Sequence, residues 1–219
     1  MIGRRARRAL LVLALGIGAA HPLAAQSAPS SDPPPQDTDP TTAGEIAQFL
    51  AGGALGLGLH ESGHALAGWA FDAHPGVKGI RYGVIPFFAI THDPVSPARE
   101  YTISSAGFRM QSVTSEWLLT RRPGLRGEHA PVAKGLLAFD VLASATYGVA
   151  GLAHLGPEES DTRGMAASLR VNESWVGAIV LAPAVFDTWR YMRPRAASPR
   201  WASRTTKLGL VLLVIRAAS

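Results

Sequence analysis

Two histidines four residues apart, with a glutamate directly after the first, form the chemical centre of this chain: His60-Glu61-Ser62-Gly63-His64. On a helix, residues i and i+4 lie one above the other on one face, so both imidazoles can reach a single ion. Glu61 then stands close to any water on that ion. Zinc lowers the pKa of such a water to about 7, and a neighbouring carboxylate can take its proton. The spacing suits metal-assisted hydrolysis, with His60 and His64 as zinc ligands and Glu61 as the catalytic base. The bland alternative is an accidental histidine pair on an ordinary buried helix. The surroundings favour the metal: from Ile46 to Phe71 the only ionisable side chains are His60, Glu61 and His64. Ionisable groups in so apolar a segment are costly without partners and mark a functional site.

Two histidines do not complete such a site, because a catalytic zinc usually takes three protein ligands and a water. The chain has no cysteine. This excludes disulfides and thiolate ligation, and leaves histidine or carboxylate for the third position. Three downstream carboxylates qualify. Asp140 lies inside an apolar segment, Asp161 follows Glu158-Glu159-Ser160, and Asp187 lies late in the last long apolar segment. Asp161 also suits a helix N-cap, which needs no metal. The remaining histidines, His21, His74, His92, His129 and His154, are not read as ligands.

The elements that must hold these residues are mainly helical. Apolar residues make up 47% of the 219 residues and charged ones only 17%, against about 25% charged in a typical soluble domain. Four apolar segments, at about 42–71, 101–120, 131–155 and 172–191, approach the roughly 20 residues needed to span a bilayer. The expected fold is a polytopic membrane bundle of about four core helices. Gly52 and Gly56 form a small-xxx-small pair suited to close helix approach. Trp69, Trp117, Trp175 and Trp189 fall near expected helix ends, with Trp201 in a following loop, as tryptophan at a headgroup zone would. Between the first two segments, Gly79 to His92 is rich in β-branched and aromatic residues and is split by Pro86. It reads as two short strands whose exposed edge could hold an extended peptide, or as a plain connecting hairpin. Leu208–Ile215 is apolar but too short to span alone, and is expected to form a short half-buried helix.

The flanking regions are of other kinds. Arg4, Arg5, Arg7 and Arg8 precede a short apolar run, so residues 1–25 read as a secretory signal or an uncleaved N-terminal anchor. Residues 26–43, rich in Ser, Pro, Asp and Thr, read as a disordered linker. The membrane-embedded domain then covers 44–192, and 193–219 is a basic C-terminal segment. The net charge of +5 owes much to the four N-terminal arginines, and the rest of the chain lacks the clustered basic surface that nucleic-acid binding needs. Arginines following the second and fourth helices place those loops on the cytoplasmic side, whereas a translocated signal places them outside. The two orientation signals oppose each other.

Taken together, these residues resemble the site-2-protease type of intramembrane zinc metalloprotease. That family carries H-E-x-x-H in one membrane helix, a Ser-Ala-Gly-Pro-x-x-Asn type motif in a second, and a later Asp-Gly motif whose aspartate is the third zinc ligand. Here the second motif reads Ser105-Ala106-Gly107-Phe108-Arg109-Met110-Gln111, with Phe108 for proline and Gln111 for asparagine. The resemblance spans about residues 45 to 190. It implies Zn2+ on His60, His64 and Asp161, the last followed by Gly164, with Asp140 and Asp187 as alternative third ligands. It also implies a Gln111 amide able to contact a substrate carbonyl, although a helix–helix hydrogen bond would occupy that amide equally well. The implied partners are a membrane protein or peptide substrate and the lipid bilayer. Two other classes fit parts of the same pattern: a non-proteolytic membrane scaffold retaining a structural metal, and a soluble secreted zinc protease.

Overall fold

The computed structural model describes residues 42–82 and 85–218. The signal or anchor expected at 1–25, and the linker expected at 26–43 up to its last two residues, lie outside the described residues. The rest is mainly helical with one small hairpin. In chain order the elements are α1 (Ala43–Ala70), β1 (Gly76–Tyr82), β2 (Ile85–Thr91), α2 (Pro97–Ser104), α3 (Ala106–Arg121), α4 (Pro131–Ala153), α5 (Asp161–Leu169), α6 (Glu173–Met192) and α7 (Ala197–Ala218).

Helix boundaries follow local chemistry. Pro97 and Pro131 open α2 and α4 at positions where a missing N–H costs nothing. Asn172 caps α6 by accepting the Ser174 N–H at 2.8 Å. His154 ends α4 in a left-handed conformation, φ 56°.

Helix α4 packs between α1 and α6. The α1–α4 crossing is close because both sides are glycine. A Cβ on Gly52 would overlap the Val132 carbonyl, and one on Gly135 would overlap the Phe49 carbonyl. The other member of the small-residue pair, Gly56, faces the Phe139 ring at 2.7 Å from where its Cβ would stand. Packing of this kind, through small residues rather than large apolar ones, is common between helices in lipid.

Four expectations need correction. The single helix expected at 101–120 is two, α2 and α3, joined at Ser105 (φ −88°, ψ −5°). The Ile103 carbonyl, which a continuous helix would use in its own ladder, accepts from His64 Nδ1 at 2.8 Å. A side chain inserted into the ladder is a recognised cause of a kink. Next, Pro86 does not divide the strands. It lies within β2 opposite Arg81 in an antiparallel pair that runs from Gly76↔Thr91 to Tyr82↔Ile85. Each strand of a two-stranded hairpin keeps one open edge, where proline is tolerated. Thirdly, the C-terminal helix is not short. Helix α7 has 22 residues, because its polar first half, including Ser203 and Lys207, turns inward against buried carboxylates. Fourthly, Trp201 lies in that helix rather than in a loop.

Beside two buried apolar clusters, one around Tyr101, Phe108 and Met165 and one around Leu118, Leu125 and Leu137, the interior also takes in polar side chains. Arg109, Gln111, Asp140, Glu173, Asp187, Arg190 and Lys207 are all buried, while Leu50, Leu142 and Leu212 are each more than 60% exposed. All five tryptophans are exposed. Among the described helices, α4 alone is long and apolar enough by composition to cross a membrane, whereas four such segments were expected. Helix α3 is shortened to 16 residues by the kink. Helix α1 carries His60, Glu61 and His64, and α6 carries Asp187 and Arg190 in its C-terminal half.

Candidate metal centre

The site is built from one turn of α1 and the first residue of α5. His60 and His64 project from the same face of α1, with their Nε2 atoms 3.1 Å apart. Asp161 Oδ2 lies 3.2 Å from His60 Nε2 and 3.3 Å from His64 Nε2. Three potential ligand atoms therefore form a nearly equilateral triangle, and these are the three residues brought together as a possible metal group among the described residues. With bonds of about 2.0–2.1 Å, tetrahedral zinc spaces its ligand atoms about 3.3–3.4 Å apart. The triangle fits one face of such a tetrahedron.

The outer contact of His64 suits a ligand role. A carbonyl only accepts, so the His64 Nδ1 that meets the Ile103 oxygen carries a proton, and neutral His64 then presents a lone pair at Nε2. Asp161 presents carboxylate lone pairs beside it. Lone pairs this close repel unless a cation or a proton lies between them. His60 has no equivalent outer contact: its Nδ1 is buried without a hydrogen-bond partner. Packing orients it instead. Its ring stacks on Tyr147 with centroids 6.1 Å apart and meets Phe108 edge-on at 5.6 Å.

Glycines admit the neighbouring chains. A Cβ on Gly107 would overlap the His60 ring and stand 2.5 Å from Nε2 of both histidines. A Cβ on Gly63 would lie 2.8 Å from the Ala106 carbonyl oxygen, and one on Gly164 would overlap Ser104 Oγ. The Ser105-Ala106-Gly107 stretch thus serves as the surface against which the imidazoles rest. Gly164 lets α5 approach α2 closely enough for Asp161 to reach them. Ser160, not Asp161, takes the N-cap position of α5, and Asp161 is the first helical residue.

A small cleft opens beside the triangle. Glu61, His64, Asp161 and Tyr147 form its floor and one side, with Glu159 on the rim. The hairpin supplies an apolar wall from Ile80, Phe88, Ala89 and Ile90. Lys78 of β1 ties this wall to the rim by donating to Glu159 at 2.5 Å. That hydrogen bond and the charge of Glu159 raise the Lys78 pKa, and the same contact lowers that of Glu159.

The other residues singled out from the sequence lie elsewhere. Asp140 accepts from Thr114 at 2.7 Å. Asp187 accepts from Ser203 at 2.5 Å and pairs with Lys207 at 2.8 Å. Gln111 Oε1 accepts from Ser144 at 3.2 Å, and its Nε2 is buried without a partner. These three share a second polar pocket between α3, α4 and α6, and Gln111 does not line the cleft beside Glu61. His74, His92, His129 and His154 pair with Asp93, Glu100, Glu45 and Glu173 respectively, away from the triangle.

Sequence reasoning passed over Tyr147 and the Lys78–Glu159 tie. One signal for Tyr147 was present: Asp140, Ser144 and Tyr147 recur at i, i+4 and i+7 along α4, a polar stripe in an otherwise apolar helix. No signal marked the tie, whose partners are 81 residues apart.

No family model matches this chain, and no curated protein or solved structure matches it.

Proposed function

We propose that this protein is a membrane-embedded zinc metalloendopeptidase. The observation that carries this reading is the triangle of His60 Nε2, His64 Nε2 and Asp161 Oδ2, with sides of 3.1–3.3 Å and Glu61 in the adjoining cleft. The exposed leucines and tryptophans support a lipid setting, since apolar exteriors are stable there.

His60, His64 and Asp161 would hold the zinc, which supplies Lewis acidity and an activated water when bound. Glu61 takes one proton from the attacking water as its oxygen bonds to the peptide carbonyl carbon. It then delivers that proton to the amide nitrogen as the C–N bond breaks. The second water proton stays on the new carboxyl group, so the products are a carboxylic acid, which then ionises to solvent, and an amine. The apolar hairpin wall favours an extended segment of a membrane protein or peptide, and the open strand edge offers main-chain hydrogen bonds to hold it.

The test uses the full chain in lipid nanodiscs with a single-span substrate. Glu61→Gln should retain zinc and lose cleavage. Cleavage that survives this change removes Glu61 from the mechanism, and a wild-type protein without zinc removes the metal. One observation favours a second reading, a membrane scaffold with a structural metal: the Gln111 amide, which the family resemblance would set beside the substrate carbonyl, faces the other pocket. Stoichiometric zinc with no cleavage of any membrane peptide would select that reading.

A further inference from the structure

Peptide hydrolysis places negative charge on the carbonyl oxygen as water adds, and a site accelerates the reaction by aiming a hydrogen-bond donor at that oxygen. We propose that Tyr147 is this donor, an inference that rests on the hydrolase reading above. The cleft itself makes the selection. Its three acidic side chains, Glu61, Glu159 and Asp161, cannot donate as carboxylates. His64 has Nδ1 committed to the Ile103 carbonyl and Nε2 to the triangle. The hairpin wall contributes only apolar side chains. Among the described lining residues the Tyr147 phenol is the side chain whose chemistry is that of a neutral O–H donor, and phenols carry their proton at neutral pH.

The ring is also held in place. It stacks on His60, a ligand of the triangle, at 25° between planes and meets Phe108 edge-on with centroids 5.3 Å apart. The imidazole that positions the metal therefore positions the phenol, the kind of preorganisation that electrostatic stabilisation of a transition state needs. Phe108 stands where the resembling family has proline, so the residue that departs from the motif is the one that buttresses Tyr147. Gln111, the amide at the motif's last position, lines a different pocket. Tyr147 takes over the role from α4.

Tyr147→Phe keeps the ring and removes the hydroxyl. In full-length protein in nanodiscs, kcat should fall about 10²–10³-fold, the scale for losing one oxyanion donor, with zinc content and KM unchanged. A second readout does not depend on turnover. A peptide phosphonamidate, which carries the tetrahedral anion, should bind Tyr147→Phe at least about tenfold more weakly than wild type. The parent peptide, measured on a Glu61→Gln background, should bind equally with and without the hydroxyl. Tight phosphonamidate binding that is unchanged by Tyr147→Phe sinks the tyrosine alone and transfers the role to the main-chain N–H groups of β2. Wild-type binding of the phosphonamidate no tighter than of the peptide sinks the hydrolase reading and this inference with it.

Discussion

Two buried polar clusters sit in the same bundle and solve the same electrostatic problem in opposite ways. In the pocket between α3, α4 and α6, every carboxylate has its own donor: Thr114 for Asp140, and Ser203 with Lys207 for Asp187. In the centre formed by α1 and α5, the Asp161 carboxylate faces two imidazole nitrogens, and His64 donates its Nδ1–H to the Ile103 carbonyl on its far side. Burying a charge is tolerable when the fold supplies its partner and expensive when it does not. The first cluster is complete as a piece of structure. The second gathers three ligand-type atoms that could hold a metal ion, and this difference in donor supply separates a packing cluster from a candidate catalytic one more sharply than acidity or burial does.

The largest effect should come from the triangle. His60→Ala, His64→Ala and Asp161→Ala should each reduce zinc to background by metal analysis and abolish cleavage, while Asp140→Asn keeps full zinc. Zinc lost from Asp140→Asn and kept in Asp161→Ala would invert the assignment of the two clusters. Next comes the paired cluster. Asp187→Ala removes the nearest carboxylate from buried Lys207 and leaves Glu116 at 3.5 Å. The loss should approach about 3–5 kcal/mol in denaturant unfolding, the cost of breaking a buried pair. The folded fraction should still bind zinc.

Gly107→Ala places a methyl group against both imidazoles and should weaken zinc about 10–100-fold, the scale for disturbing a ligand's surroundings. Gly58→Ala, where a Cβ meets nothing within 4 Å, is its control and should leave zinc affinity unchanged. An equal effect from the two would mean that α3 does not shape the site. The smallest effect belongs to the exposed Lys78–Glu159 tie. Because contact with Lys78 depresses the Glu159 pKa, the contribution is present above the ordinary glutamate range and fades as pH falls through the depressed value. The raised Lys78 pKa preserves it until pH climbs through that value. Lys78→Ala should shift substrate KM modestly at low salt and not at all at high salt, where exposed pairs are screened.

The hairpin between the first two helical segments was legible in its composition, but its register was not, since Pro86 reads as a break and sits within a strand. The kink at Ser105 was invisible because its cause, the Ile103 carbonyl accepting from His64, joins residues 39 apart. The length of α7 was hidden for a related reason. Its first half is polar with Ser203 and Lys207 buried, and hydropathy cannot tell a polar face turned to water from one turned to Asp187 and Glu116.

His60, Glu61 and His64 needed no tertiary information. Backbone geometry alone brings residues one helical turn apart onto one face, and that relation survives any packing. The third ligand was another matter. Asp140, Asp161 and Asp187 were of one residue type, and only the family resemblance, through Gly164 after Asp161, put Asp161 first. Asp161, 101 residues from His60, reaches the imidazoles because glycines at 63 and 107 let α1 and α3 approach closely and Gly164 does the same for α5 and α2, while the other two aspartates found donors of their own. Which acid meets the two imidazoles, where Gln111 points and what faces the cleft from α4 were decided by helix packing, because burial and close approach act between segments that the order of residues leaves far apart.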